Sequence, residues 1–232
     1  MHIPDGYLSP ATCAVMYGAA APFWYVASQK VKKALSHRMV PLLAVFSAFA
    51  FVIQMFNIPV PDGTTAHATG AALMAIVLGP WAAVLGVSVA LFIQAVFFGD
   101  GGILAFGANA FNLAVVIPLV AYTIYRALAG RAPVGSSRQW IAAAVAGYVA
   151  INVAALAAAV EFGIQPALFR AADGTPLYSP YGLSVAVPAM MFAHLTIAGF
   201  AEAVVTGGAV AFLQRAMPHL WQAEAVETEA AA

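Results

Sequence analysis

Charge is the scarcest feature of this 232-residue chain: Asp, Glu, Lys and Arg make up only 8% of it, against about a quarter in a water-soluble domain. A surface so poor in charge cannot hold a folded domain in water, so an ordinary soluble globular class is excluded. The 9 basic and 9 acidic residues cancel, so no bulk field exists to bind nucleic acid. A single cysteine, Cys13, rules out an intrachain disulfide and any multi-cysteine zinc or iron–sulfur centre. Nitrogen and oxygen donors remain available. Lysine occurs only at Lys30, Lys32 and Lys33, none in a G-x-x-x-x-G-K-[ST] context, so the chain has no phosphate loop of that kind. Any ATP hydrolysis on which it depends belongs to another chain.

What the chain has instead is 63% hydrophobic residues and a mean hydropathy of +0.91. A helix needs about 20 apolar residues to cross about 30 Å of hydrocarbon, and the runs predict an all-α, polytopic bundle of seven transmembrane helices. The spans fall near 10–28, 39–57, 67–78, 81–98, 104–126, 139–163 and 184–214. Their punctuation is the basic cluster Lys30, Lys32, Lys33 and Arg38, then Asn57 to Gly63, Gly79-Pro80, Gly99 to Gly102, the arginine loop Arg126, Arg131 and Arg138, and a turn-rich segment at 164–182. The third run is too short to span without help from the proline-rich loop before it. Residues 1–216 are expected to form one transmembrane domain, and 217–232, with Glu224, Glu227 and Glu229, an acidic, disordered cytoplasmic tail.

Eight of the nine basic residues fall on one side of this topology and only Arg170 on the other. The positive-inside rule makes the eight cytoplasmic, which places the amino terminus outside and the carboxyl terminus in the cytoplasm of a multi-pass plasma (inner) membrane protein. The start Met1-His2-Ile3-Pro4-Asp5 has no basic region before its first apolar run and does not read as a cleavable signal peptide.

His2 carries the most information of the five histidines. The amine of Met1, the amide nitrogen of His2 and its imidazole can close two fused chelate rings on one ion, a donor set suited to Ni(II) and Cu(II). The bland alternative is an interfacial histidine near the start of the chain. His67, in the outward loop after Asn57, could supply a fourth corner, with Asp62, Thr64 and Thr65 nearby to orient it. His37 and His219 read as solvated. His194 and Glu202 lie eight residues apart on one face of the last span, where an interhelical polar contact is the simpler reading. Gln94, Asp100, Asn109 and Asn112 read as polar glue around an outward cavity.

Three motifs carry a family resemblance: Met1-His2-Ile3-Pro4-Asp5-Gly6-Tyr7-Leu8-Ser9-Pro10, Val60-Pro61-Asp62-Gly63-Thr64-Thr65-Ala66-His67, and Phe98-Gly99-Asp100-Gly101-Gly102. With Gly107 to Asn112 and Phe192 to Leu195, they make almost the whole chain similar to the NikM and CbiM proteins. These are substrate-binding (S) components of energy-coupling-factor transporters for nickel and cobalt, and the wording is closer to the nickel type. The resemblance implies a seven-helix bundle that binds its metal through Met1, His2 and His67. It implies partners too: a transmembrane coupling subunit (T component), ATPase subunits and a small accessory membrane subunit. The segment Ala44-Val45-Phe46-Ser47-Ala48 is similar to the small-residue faces through which such components meet the coupling subunit.

The expectation is therefore a transporter subunit, not an enzyme, with no catalytic cofactor, that captures Ni(II) in a square-planar nitrogen site for uptake. The alternatives are Co(II) uptake for cobalamin synthesis and, less favoured, a membrane-embedded metalloenzyme built on His67, His194 and Glu202.

Overall fold

The computed structural model describes residues 1–34, 39–60 and 64–218; His37, Arg38, Asp62, His219 and the acidic tail from 219 onward lie outside the described residues. Nearly all of the rest is helix. α1 (Pro10–Ala34) and α2 (Met39–Gln54) lead into a short antiparallel hairpin, β1 (Ile58–Val60) with β2 (Thr64–Ala66), in which Ile58 pairs with Ala66. α3 (Ala71–Leu78) and α4 (Pro80–Ile93) follow, and α4 runs on as a π-helical turn, Gln94–Phe98. α5 (Phe106–Asn109), a π-helical stretch (Ala110–Val116) and α6 (Ile117–Ala129) form one continuous rod. α7 (Ser137–Gly163), the short α8 (Gln165–Leu168), α9 (Leu183–Ala193), a third π turn (His194–Ala198) and α10 (Gly199–Ala216) complete it.

The helices begin and end where backbone chemistry requires. Pro80 takes the first turn of α4, where its missing N–H is no loss, and Gly79 before it sits at φ 84°, a conformation that disfavours any side chain. Gly70 caps α3 at φ 68°. α7 is the hub, packed against α6, α9 and α10, and its buried face is almost wholly alanine and glycine, from Ala142 to Ala159. Small residues let helices approach closely where lipid supplies no hydrophobic drive.

Among the described residues, four helical runs are long and apolar enough to cross a membrane: Pro80–Phe98, Phe106–Ala129, Ser137–Leu168 and Leu183–Ala216. Large side chains such as Phe92, Phe97, Phe192, Phe200, Val204 and Phe212 stand exposed on them, as lipid-facing positions should. The chain is a multi-pass membrane protein. α2, at 16 residues, is apolar but shorter, and α3 has only eight, about 12 Å of helix. The six residues Ala71 to Ile76 of α3 are buried, so the shortness noticed in the third apolar run reflects a helix sunk inside the bundle.

Candidate metal site

Residues 1–9 form no secondary structure of their own, yet both ends of the segment are packed inside the protein: Met1, His2 and Ile3 are 2%, 6% and 0% exposed and Leu8 and Ser9 are buried, while Pro4 to Gly6 are exposed. A buried irregular segment must find partners for its backbone, and each partner comes from far along the chain. Asn109, at the end of α5, accepts the Ile3 N–H on Oδ1 at 2.7 Å and donates Nδ2 to the Ile3 carbonyl at 3.0 Å. The Ile3 carbonyl also accepts the Gly102 N–H at 2.9 Å. Asp5 returns the contact, its carboxylate accepting the N–H groups of Ile103 at 3.1 Å and Ala105 at 3.0 Å. Gln165 accepts the Ser9 N–H at 3.0 Å, and the Tyr7 carbonyl accepts the Ser179 N–H at 3.0 Å.

This seating brings together the three residues singled out as metal ligands. The amine of Met1 donates to the Thr65 carbonyl and, at 3.2 Å, to Thr65 Oγ1. The His2 and His67 rings stack with centroids 4.7 Å apart and planes 25° apart. His67, 1% exposed, donates Nδ1–H to the Ala68 carbonyl at 3.1 Å, which leaves Nε2 as the lone-pair nitrogen; that atom is buried and has no partner. An orphaned buried acceptor beside a second imidazole and an amine is the feature that most needs a cation.

Burial pulls the Met1 amine down to about 5, with the Asp100 charge pushing the other way. Burial also pushes His67 well below the usual imidazole range, helped by the charges of the amine and His2. At neutral pH both are uncharged nitrogens with lone pairs, the state a metal ligand needs. Burial raises the Asp100 carboxyl, but the hydrogen bond and charge of His2 overcome this and hold it below its ordinary value.

His2 Nδ1 lies 3.0 Å from Asp100 Oδ1, and Nε2 lies 3.2 Å from Gln54 Oε1. An ionised carboxylate only accepts, so the Asp100 contact is a hydrogen bond when Nδ1 carries a proton. Asp62 is outside the described residues. Of the polar glue, Asn109 and Asp100 hold the amino-terminal segment, whereas Asn112 donates to Glu161 at 3.0 Å and Gln94 to the Phe51 carbonyl at 3.3 Å.

His194 is bonded within its own helix, and Glu202 is bonded to the segment after His67. His194 donates Nδ1–H to Met190 one turn earlier at 2.8 Å. Glu202 accepts the Thr69 N–H at 2.5 Å, Thr69 Oγ1–H at 3.1 Å, the Gly70 N–H at 3.4 Å and Thr206 Oγ1–H at 3.4 Å. Among the described residues no three His, Cys, Asp or Glu side chains converge as a metal cluster, and Glu202's oxygens already serve the segment after His67. Sequence reasoning missed Gln54 altogether. Its one local signal is being the polar residue that ends the otherwise apolar run of α2.

The profile of the family described as the cobalt uptake substrate-specific transmembrane region, CbiM, matches residues 2–220. The chain belongs to the CbiM family. It is 60% identical over 220 residues to the fused nickel transport protein NikMN of Rhodobacter capsulatus, covering 95% of this chain and 63% of that relative. This CbiM-family chain thus spans less than two thirds of that fused protein's length. It is 37% identical over 137 residues to the cobalt transport protein CbiM of Roseiflexus, which covers 58% of this chain and 55% of the relative. Among solved structures, a truncated transition metal transporter superposes with a TM-score of 0.89 at 58% identity, over 93% of this chain and 99% of that one.

Proposed function

We propose that this protein is the metal-capture (S) component of an energy-coupling-factor importer and that its cargo is Ni(II). The single observation that carries the reading is the convergence of a buried, neutral amine at Met1 with the stacked rings of His2 and His67, whose Nε2 has no other partner. The similarity to a relative named for nickel transport supports the choice of metal; Co(II), the cargo named for the Roseiflexus relative, is the alternative.

The ion takes four nitrogens in a plane: the Met1 amine, the deprotonated amide and Nδ1 of His2, and Nε2 of His67. Such a field favours a d⁸ ion over one that prefers octahedral or tetrahedral surroundings. Capture is an exchange. The amine leaves Thr65, His2 Nδ1 leaves Asp100, the His2 amide gives up its proton to solvent, and the ion takes the place of both contacts. Ni(II) with one amide anion carries a single net positive charge, and the neighbouring Asp100 carboxylate balances it in a site where an uncompensated charge would be costly.

The rest of the assignment follows from this role. Residues 1–216 act as one substrate-binding unit, α1, α2 and the buried α3 complete a seven-helix topology, and the amino terminus faces outward. A transmembrane coupling subunit and ATPase subunits supply the energy, with a small accessory membrane subunit beside them. The test is a nickel titration of protein with a free amino terminus, alongside His2→Ala and His67→Ala. One equivalent of yellow, diamagnetic Ni(II), lost or strongly weakened in both variants, is the expected result. Paramagnetic nickel, or binding untouched by either change, refutes the site.

A further inference from the structure

The polar groups around His2 form one continuous chain of hydrogen bonds that starts 200 residues away. Glu202 on α10 accepts the Thr69 N–H at 2.5 Å. The carbonyl of the same residue accepts Gln54 Nε2–H at 3.0 Å. Gln54 Oε1 then faces His2 Nε2 at 3.2 Å. Gln54, Thr69 and Glu202 are all 0% exposed, so no water competes for these atoms.

Each link has only one possible direction. A carbonyl cannot donate, so the Gln54 amide must turn its NH₂ toward Thr69, and its oxygen is thereby left facing His2. An amide oxygen cannot donate either, so the proton of that contact sits on His2 Nε2. A neutral imidazole carries one proton. With Nε2 protonated and the 3.0 Å contact of Nδ1 with Asp100 given up to the ion, the lone pair is on Nδ1, the ring nitrogen that closes a six-membered chelate with the amide of the same residue.

We propose that Gln54 is the positioning residue of the capture site: oriented by Thr69, whose peptide Glu202 fixes, it selects the His2 tautomer that presents Nδ1 to the ion. This rests on the chelate reading above. Gln54 touches no metal and acts through His2. It also ties both ligand-bearing segments together, because the peptide that orients it lies two residues beyond His67.

The test compares Gln54→Met, which fills similar space without a polar atom, with Gln54→Glu, which keeps an acceptor for Nε2–H but places a carboxylate against the Thr69 carbonyl. If Gln54 only filled space, the buried charge would make the glutamate the worse variant. The tautomer role predicts the reverse for nickel: Gln54→Met weakens affinity about tenfold or more and shifts the visible band of bound Ni(II), while Gln54→Glu restores most of the affinity and the band. Nitrogen NMR of the unsubstituted nickel-loaded protein, with labelled histidine, needs no variant to fold. It should show Nε2 of His2 protonated and Nδ1 metal-bound; metal on Nε2 overturns the proposal, as does Gln54→Met binding like the parent. His2→Ala run in parallel separates the two readings. If it binds nickel normally, the chelate fails and this inference falls with it; if it does not bind while Gln54→Met does, only the role of Gln54 is lost.

Discussion

Asn109 holds Ile3 by both of its backbone polar atoms, accepting the N–H at 2.7 Å and donating to the carbonyl at 3.0 Å across 106 residues of chain. A single amide side chain thereby sets where the first two residues lie. Asn109→Ala leaves the buried Ile3 N–H unpaired, at about 1–3 kcal/mol for such a group. Since about 1.4 kcal/mol is a factor of ten in affinity, nickel binding should weaken about fivefold to a hundredfold. Calorimetric titration checks this; an unchanged Kd would mean that the terminus seats itself without the clamp.

Blocking the amine should be more severe. Met1 is 2% exposed, with its nitrogen against Thr65, so an acetyl or formyl group, or one added residue, removes a donor and has no room beside the hairpin. Binding should fall by orders of magnitude while the helical content is unchanged. Intact mass spectrometry of transport-competent protein is the control: a blocked terminus on active protein contradicts the site.

Affinity should depend on pH in two regimes. The amine, lowered from 8.0 to about 5, is already neutral at pH 7, and His67 is lowered in the same direction. Neither then competes with the ion between pH 6 and 8, where the proton of the His2 amide is still displaced. Below about pH 5 the amine is protonated and must also be deprotonated by the metal, so the loss of affinity steepens there. Calorimetry in buffers of different ionisation enthalpy counts the protons, with more released per nickel near pH 5 than near pH 7. A flat profile from 5 to 8 is incompatible with this chelate.

Gly102 has no space for a side chain. A Cβ there would lie 1.9 Å from Asp5 Oδ1 and 2.5 Å from the Asp5 backbone nitrogen. Gly102→Ala must push the amino-terminal segment off the 102–105 turn, costing about 1–3 kcal/mol as overpacking does. Both the melting temperature and nickel affinity should drop, whereas Gly208→Ala, with open space around it, should change neither.

Glu202→Leu strips the Thr69 and Gly70 amides of their acceptor and should lower the melting temperature by several degrees while weakening nickel binding. Glu202→Gln retains one oxygen for them and should recover part of both. If Leu and Gln behave alike, the carboxylate is not what holds the His67 segment.

The long helices, and the residues proposed here as ligands, were legible in the sequence for simple reasons. Apolar runs broken by glycine, proline and arginine mark membrane helices by length alone, and a histidine at position 2 can chelate with atoms of its own backbone. Gln54, Asp5 and Thr69 were not legible as parts of one site, because their partners are 15 to 133 residues away and helices apolar on every side carry no periodicity to show which face meets which. The eight-residue spacing of His194 and Glu202 was read as one face of a regular helix. The π turn at His194–Ala198 absorbs about one residue without advancing the face, so eight residues act as about two full turns. Only coordinates reveal such a turn.

The knotting of residues 1–9 to Gly102, Asn109, Gln165 and Ser179 also fixes an order of events. These nine residues leave the ribosome before anything that holds them: Gly102 and Asn109 follow only after α1 to α4, and Gln165 and Ser179 only after α7. Their contacts are among the most non-local in the fold, and such contacts close late. The proposed metal affinity would therefore be a property of the finished bundle: a half-made or misassembled chain has the histidines but not the seat that brings them together.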